Sequence, residues 1–281
     1  MCLAGCLVAA ALFWALGLGR PNVAVAIALD LSSSTHDPQP FNAPGTVMAT
    51  EIEAVRSYLK ENDQQLSKQN QLQIFGFGGA VRPLTSSFTD NTKQLDNELT
   101  QALKNADLPL LVVSNTTDIN LAIQKGTQAL SGIRDRCREL LLVTDGVAPV
   151  APTVIAEAAL QRVKINAVVV GASAPALQAA ALATKGIYLS GAANNLQEFF
   201  TERFFVRFNS NLKWIIFWLG AAWIALMWTL TLPLDKWIFQ GVSNLPPNLA
   251  GQLALGNALF WSVVTPMIVW RLFGLPFGSS C

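Results

Sequence analysis

Between residues 22 and 210, unbroken apolar runs alternate with segments whose apolar positions recur every three or four residues. Val23 to Leu29 is such a run and ends at Asp30. Leu72 to Phe77, Leu140 to Val143, and Ile165 to Val170 before Gly171 have the same character. Short apolar runs bounded by polar or glycine residues read as buried strands. Val47 to Leu66, through Ile52, Val55 and Leu59, has helical periodicity, and Leu95, Leu99 and Leu103 mark a second helix face. Further helices are predicted at Ile119 to Leu130, Thr153 to Val163, Leu177 to Ala183 and Leu196 to Phe208. Ala80 to Leu84 reads as a hairpin partner of Leu72 to Phe77 across Gly78-Gly79, and Ile187 to Leu189 as a last short strand. Continuous apolar strands alternating with helices predict an α/β domain, a doubly wound, mostly parallel sheet of six strands covered on both faces.

Outside this region the polar half of the pattern disappears. Leu3 to Gly19 carries no charge and has about the minimum length for a span, roughly 17 residues. No basic segment precedes it, and the candidate cleavage site Ala24-Val25-Ala26 falls inside the first strand, so a retained helix is expected over a cleaved signal. Leu3-Ala4-Gly5-Cys6 matches a lipobox with no apolar stretch ahead of it, and reads as part of the helix. Trp214 to Leu232 is a second uncharged run, between Lys213 and Asp235-Lys236. A third runs from Leu253 to Trp270 and closes at Arg271; Pro266 should kink it, and Asn257 needs a hydrogen-bond partner there. Pro246-Pro247 predicts a turn between them. The expected organisation is an N-terminal transmembrane helix over 1–20, a folded domain over 21–210, and a membrane region over 211–281 with helices at about 213–233 and 251–271.

Composition agrees: 52% of residues are hydrophobic and 13% charged, against a usual charged share of about 25%. The net charge of +1 and the absence of a basic-aromatic patch exclude nucleic acid as the expected partner. Arg20, Arg203, Arg207, Lys213 and Arg271 flank the spans on the domain side, against Lys236 and the chain amine on the other. That asymmetry predicts an integral protein of a bacterial inner or plasma membrane, with its domain in the cytoplasm. Cys2, Cys6, Cys137 and Cys281 form no zinc or disulfide pattern, and Cys137 reads as a bystander thiol.

Candidate chemistry sits at two strand ends. Asp30 opens Asp30-Leu31-Ser32-Ser33-Ser34, and Asp145-Gly146 follows Leu140 to Thr144. A parallel sheet gathers such ends along one edge, and hard oxygen ligands of this kind suit Mg²⁺. The order Asp-x-Ser-x-Ser, then Thr117-Asp118-Ile119 opening a helix, then Thr144-Asp145-Gly146, resembles the metal-ion-dependent adhesion site of von Willebrand factor A domains. The resemblance extends over nearly all of 22–208, including the Phe75–Leu84 hairpin and Ala183-Thr184-Lys185-Gly186-Ile187-Tyr188. It implies a Rossmann-like fold and metal ligation by Asp30, Ser32, Ser34, Thr117 and Asp145. Mg²⁺ is the implied ion, with Mn²⁺ and Ca²⁺ as alternatives. An open coordination position would take an acidic residue of a protein partner. Ser33 stands where the family usually has glycine, and Asn115-Thr116 where it has two; neither change removes a ligand oxygen, and both stiffen the backbone. The Pro-rich loop from Asp37 to Pro44 is placed at the rim. Asp118 is expected to cap its helix, and His36 and Asp37 to be surface-loop residues.

Catalysis is not expected. His36 is the sole histidine, no nucleophile elbow occurs, and Gly76-Phe77-Gly78-Gly79 follows the wrong strand for a nucleotide loop. The expected function is a membrane-anchored adaptor or scaffold. Family analogy suggests a MoxR-type AAA+ ATPase as partner. The alternative is an accessory subunit of a membrane channel or transporter complex, assembled through Asn257, Thr265 and Pro266. In this fold both membrane attachments leave the face opposite the metal edge, so the site is expected to point away from the bilayer.

Overall fold

The computed structural model describes residues 1–37, 39–105, 107–112 and 116–277. Asn115, expected to reshape the loop before Thr117, and Pro38 of the Pro-rich loop lie outside the described residues. The chain divides into two units, Asn22–Asn209 and a second assembled from Met1–Pro21 and the segment from Ser210 onward.

Helix α1 (Cys2–Leu16) belongs to the second unit. The first unit carries strands β1 (Val23–Asp30), β2 (Gln71–Phe77), β3 (Val81–Pro83), β4 (Cys137–Thr144), β5 (Val163–Val170) and β6 (Tyr188–Gly191). They form one sheet in the order β3-β2-β1-β4-β5-β6. Every pairing is parallel except the β2–β3 hairpin. The domain's helices are α2 (Val47–Gln65), α3 (Thr92–Lys104), α4 (Leu108–Val112), α5 (Ile119–Ser131), α6 (Pro152–Leu160), α7 (Pro175–Ala183) and a helical segment α8 over 196–208.

All eight residues of β1 are buried. Alternate side chains of a strand point to opposite faces. Val23, Val25, Ile27 and Leu29 join Met48, Ile52 and Val55 of α2 and Phe200 and Phe204 of α8. Ala24, Ala26 and Ala28 meet Ile119, Ala122 and Ile123 of α5 on the other face. Helix α5 sits so close to the sheet that a Cβ on Gly126 would come within 2.5 Å of Leu140 Cδ1. Helix starts are capped as their residues dictate. The Thr46 hydroxyl accepts from the Ala49 amide at 3.1 Å, and Asp118 accepts from the Leu121 amide at 2.9 Å. Within α8, Phe199–Phe205 is a π-helix, and it brings Phe205 edge-on to Tyr58 at 5.4 Å. Cys137 is not the free thiol expected of it: it is disulfide-bonded.

The second unit holds the apolar helices. Among the described residues, two helices are long and apolar enough to cross a membrane, α9 (Leu212–Val242) and α10 (Pro247–Phe273). Helix α1 has 15 residues, about 22 Å at 1.5 Å per residue, against about 30 Å of hydrocarbon. It stops at Gly17, whose φ of 62° is left-handed. The Asn211 amide group then donates to the carbonyls of Phe13 and Leu18 at 2.6 and 2.9 Å. Helix α9 runs past the expected end near 233. Pro233 has no amide to donate, and the helix continues from Leu234 to Val242 with π geometry. Helix α10 starts at Pro247, where a proline costs no hydrogen bond, and runs through Pro266 without a break. The two pack through an edge-on Trp223–Trp261 pair at 5.5 Å and a bond from Trp228 Nε1 to Ser262 Oγ at 3.0 Å. Asn257 finds its partner inside the chain, Met227 Sδ at 3.8 Å.

Candidate metal centre

The register of the sheet builds the site. Pairing of Leu29 with Val143 puts Asp30 of β1 beside Thr144 of β4 at the carboxyl edge. Ligand sites in open α/β sheets lie at this edge. Asp30 is fully buried. Its Oδ1 accepts from the Ser32 amide at 3.0 Å and the Ser32 hydroxyl at 2.5 Å, and its Oδ2 accepts from Thr144 Oγ1 at 2.5 Å. A short 3₁₀ turn, Ser33–Thr35, swings the chain back over the strand end. It brings Ser34 Oγ to 3.0 Å from Ser32 Oγ, and from there the Ser34 hydroxyl donates to Asp145 Oδ1 at 2.8 Å. Thr117 stands next to Gly146: a Cβ on that glycine would lie 3.8 Å from Thr117 Cγ2. Asp30, Ser32, Ser34, Thr117 and Asp145 therefore meet at one place, though 115 positions separate the first from the last.

Burial falls from floor to rim. Asp30 and Ser32 are buried, Thr117 and Asp145 are half-buried, and Ser34 is exposed. Burial pushes the Asp30 carboxyl above its ordinary range; the bonds from Ser32 and Thr144 oppose that, and Asp145 adds to it. The donors fit the expected ion. They are carboxylates and hydroxyls, hard oxygens of the kind Mg²⁺ takes, and the rim residue Ser34 is exposed. Among the described residues there is no cluster of three His, Cys, Asp or Glu side chains within reach of one ion, so an ion here would need the hydroxyls as well.

Two residues here were not singled out in the sequence. Thr144 reads there as the end of an apolar run, yet it holds Asp30 and accepts from the Gly146 amide at 2.9 Å. Glu51 of α2 is fully buried, and among the described residues neither of its carboxylate oxygens has a hydrogen-bond partner. Burial, and then the charges of Asp30 and Asp145, hold its carboxyl well above the ordinary range. A signal for it existed: Met48, Glu51, Val55, Tyr58 and Asn62 are spaced as one helix stripe, and all are buried. His36 is less exposed than its loop suggests and packs edge-on against Phe41 at 5.6 Å.

The model of the von Willebrand factor type A domain matches residues 23–189. The chain belongs to that family. This von Willebrand factor A chain is also similar to solved structures of low identity. The BatB protein of Bacteroides thetaiotaomicron is 17% identical, over 64% of this chain and 96% of that one, with a TM-score of 0.49. An aerotolerance-related membrane protein of Bacteroides fragilis is 16% identical, over 64% and 98%, with a TM-score of 0.48. The PilB minor pilin of Streptococcus sanguinis is 14% identical, over 72% and 64%, with a TM-score of 0.51. No curated protein matches the sequence.

Proposed function

We propose that this chain is a membrane-anchored binding module, not a catalyst, that holds a protein partner through a divalent cation at Asp30, Ser32, Ser34, Thr117 and Asp145. The observation that carries this reading is the graded oxygen cluster, closed at its Asp30 floor and open at its Ser34 and Asp145 rim. When bound, Mg²⁺ would supply a Lewis-acidic position able to exchange water for a partner's carboxylate. Asp30 and Asp145 would provide the charge, and the three hydroxyls would complete the donor set. Asp30 would be oriented by Thr144 from behind, as an outer hydrogen bond orients a metal ligand.

The domain's own two ends lie away from that rim. The domain begins at Asn22, whose carbonyl accepts from the Cys137 amide at the amino end of β4. Near its close, Arg207 lies close enough to Glu139, at the same end of the sheet, to act on it electrostatically. A MoxR-type ATPase is one candidate bearer of the acidic residue. The test is capture by the full chain in detergent, with Mg²⁺ and with chelator. Retention of a partner that is lost with chelator and with Asp145→Ala supports the reading. Equal retention in all three arms refutes it.

The side of the membrane carries opposing observations. Arg20, Lys213 and Arg271 against Lys236 favour the cytoplasm for the domain, once Arg203 and Arg207 are counted with the folded unit. The disulfide-bonded Cys137 favours an oxidising compartment. Protease digestion of intact cells decides between them: a domain protected until the membrane is breached is cytoplasmic.

A second reading places the working surface in the membrane unit. There the buried Trp218 Nε1 and Thr265 Oγ1 lack partners among the described residues, and polar groups of that kind can join helices of another subunit. Its mark would be an assembly lost with Thr265→Val and kept with Asp145→Ala.

A further inference from the structure

The parallel strands β1, β2, β4, β5 and β6 all start at one edge of the sheet, and a basic residue stands in the turn that leads into four of them. Lys68 precedes β2, Arg134 precedes β4, Arg162 precedes β5 and Lys185 precedes β6, and all four are exposed. Among the described residues none of them forms an ion pair. Asp135 is the single acid in those four turns. Strands about 4.8 Å apart spread the row over roughly 19 Å. Two further arginines fix the turns from behind. Arg136 Nη1 donates to the Val23 and Gln69 carbonyls at 3.3 and 3.1 Å, and Arg138 donates to the Ile133 and Gln161 carbonyls, both at 2.6 Å.

Two of the four exposed cations sit on strained backbone. Arg162 and Lys185 have φ of 53° and 61°, the left-handed position just past the ends of α6 and α7. Glycine holds that position with the least strain. A helix C-terminus favours a nearby cation, but a basic residue one turn earlier would meet that preference on relaxed backbone. Both ends of the domain lie at this edge. The Asn22 carbonyl accepts from the Cys137 amide at 2.8 Å. Phe205 packs on Tyr58, whose hydroxyl accepts from Asn70 just before β2, and the Asn209 side chain donates back to the Phe205 carbonyl. In the sequence one uncharged run ends at Gly19, shortly before Asn22, and another begins at Trp214, shortly after Asn209.

We propose that this amino edge is a docking surface for anionic phospholipid headgroups, read by Lys68, Arg134, Arg162 and Lys185. A row of unpaired cations fits an extended sheet of negative charge better than one small anion. A bilayer is the anionic sheet met by a chain whose domain is flanked by apolar runs. Each basic residue near such a surface strengthens the attraction about fivefold, and salt weakens it. The proposal rests on the membrane-anchored half of the reading above and not on its cation.

Hydrogen exchange of the full chain tests this, in nanodiscs of phosphatidylcholine alone and of equal parts phosphatidylcholine and phosphatidylglycerol. Both leaflets of a disc are open to solution, so the result does not depend on sidedness. The turns at 66–70, 132–136, 161–163 and 184–187 should exchange about fivefold more slowly in the anionic discs at low salt, while 145–151, at the opposite edge, exchanges alike in both. Arg162→Gly with Lys185→Gly should keep or raise the melting temperature, because glycine is at ease at both positions, and should lose most of the slowing. Lys68→Gln with Arg134→Gln repeats the test if the glycine pair folds poorly. Equal exchange in the two discs, or full slowing in both double variants, overturns the proposal. The same slowing by inorganic phosphate in detergent assigns the edge to a soluble anion and overturns it too. A chain that enters neither disc contradicts the membrane anchor as well.

Discussion

The two edges of the sheet treat buried acid in opposite ways. At the amino edge Glu139, 4% exposed, is satisfied from within: Lys164 Nζ lies 3.0 Å from one oxygen and Asn166 Nδ2 3.0 Å from the other. At the carboxyl edge Asp30, Glu51 and Asp145 gather without a single Lys or Arg among their bonded partners. The first arrangement is structural, a charge matched by the fold itself. The second has no such match among the described residues, and in the proposed reading a cation from solution would supply it. Nothing in local propensity requires the difference, since both edges are ends of the same buried strands.

Breaking the carboxyl edge from outside has the largest expected effect. Mg²⁺ at a hundred times its dissociation constant should stabilise the domain by about 2.7 kcal/mol, read as a rise in its melting temperature that chelator reverses. The amino edge should not respond to metal but should fail when its own partner is taken. Lys164→Met strands Glu139 and should cost about 2 kcal/mol in chemical denaturation, at the lower end for a buried pair because Lys164 is partly exposed. The pH profile sharpens the contrast. Burial raises the Glu139 carboxyl above its ordinary 4.5, against the opposing pull of Lys164 and Asn166. The folded state then binds more protons than the unfolded one above pH 4.5, so stability contributed at low pH is lost as pH rises through that interval. Glu139→Gln should flatten this slope in a series of denaturation midpoints. Smallest of all, Ser262→Ala in the membrane unit removes the Trp228 bond and should cost about 0.6 kcal/mol of helix association.

Much of this was legible along the chain because the strands are buried on both faces, which makes them continuous apolar runs with polar ends. Asp30, Ser32, Ser34 and Asp145 could be read because a parallel sheet brings such ends together. Thr144 stood in the Thr144-Asp145-Gly146 motif, but its hold on Asp30 depends on the register of β1 against β4. Glu51 was hidden by the choice of stripe: Ile52, Val55 and Leu59 mark the face of α2 well enough that Glu51 and Glu53 look alike, although one is buried and the other exposed. At the N-terminus the uncharged run continues to Gly19, whereas the left-handed backbone at Gly17 ends the helix. Gly19 must stay small too, since a Cβ there would lie 2.3 Å from the Trp214 ring. The long π continuation of α9 begins directly after Pro233, a residue the uncharged run did not include.

The central claim is that the Asp30–Asp145 edge is a cation site. A Mg²⁺ titration of the full chain by calorimetry, wild type against Asp145→Ala, tests it most directly. Asp145 is half-buried and bonded through Ser34 at the rim, so its loss spares the core. Saturable binding by the wild type that the variant lacks is the predicted result. Equal heats from both proteins, or none from either, would contradict it.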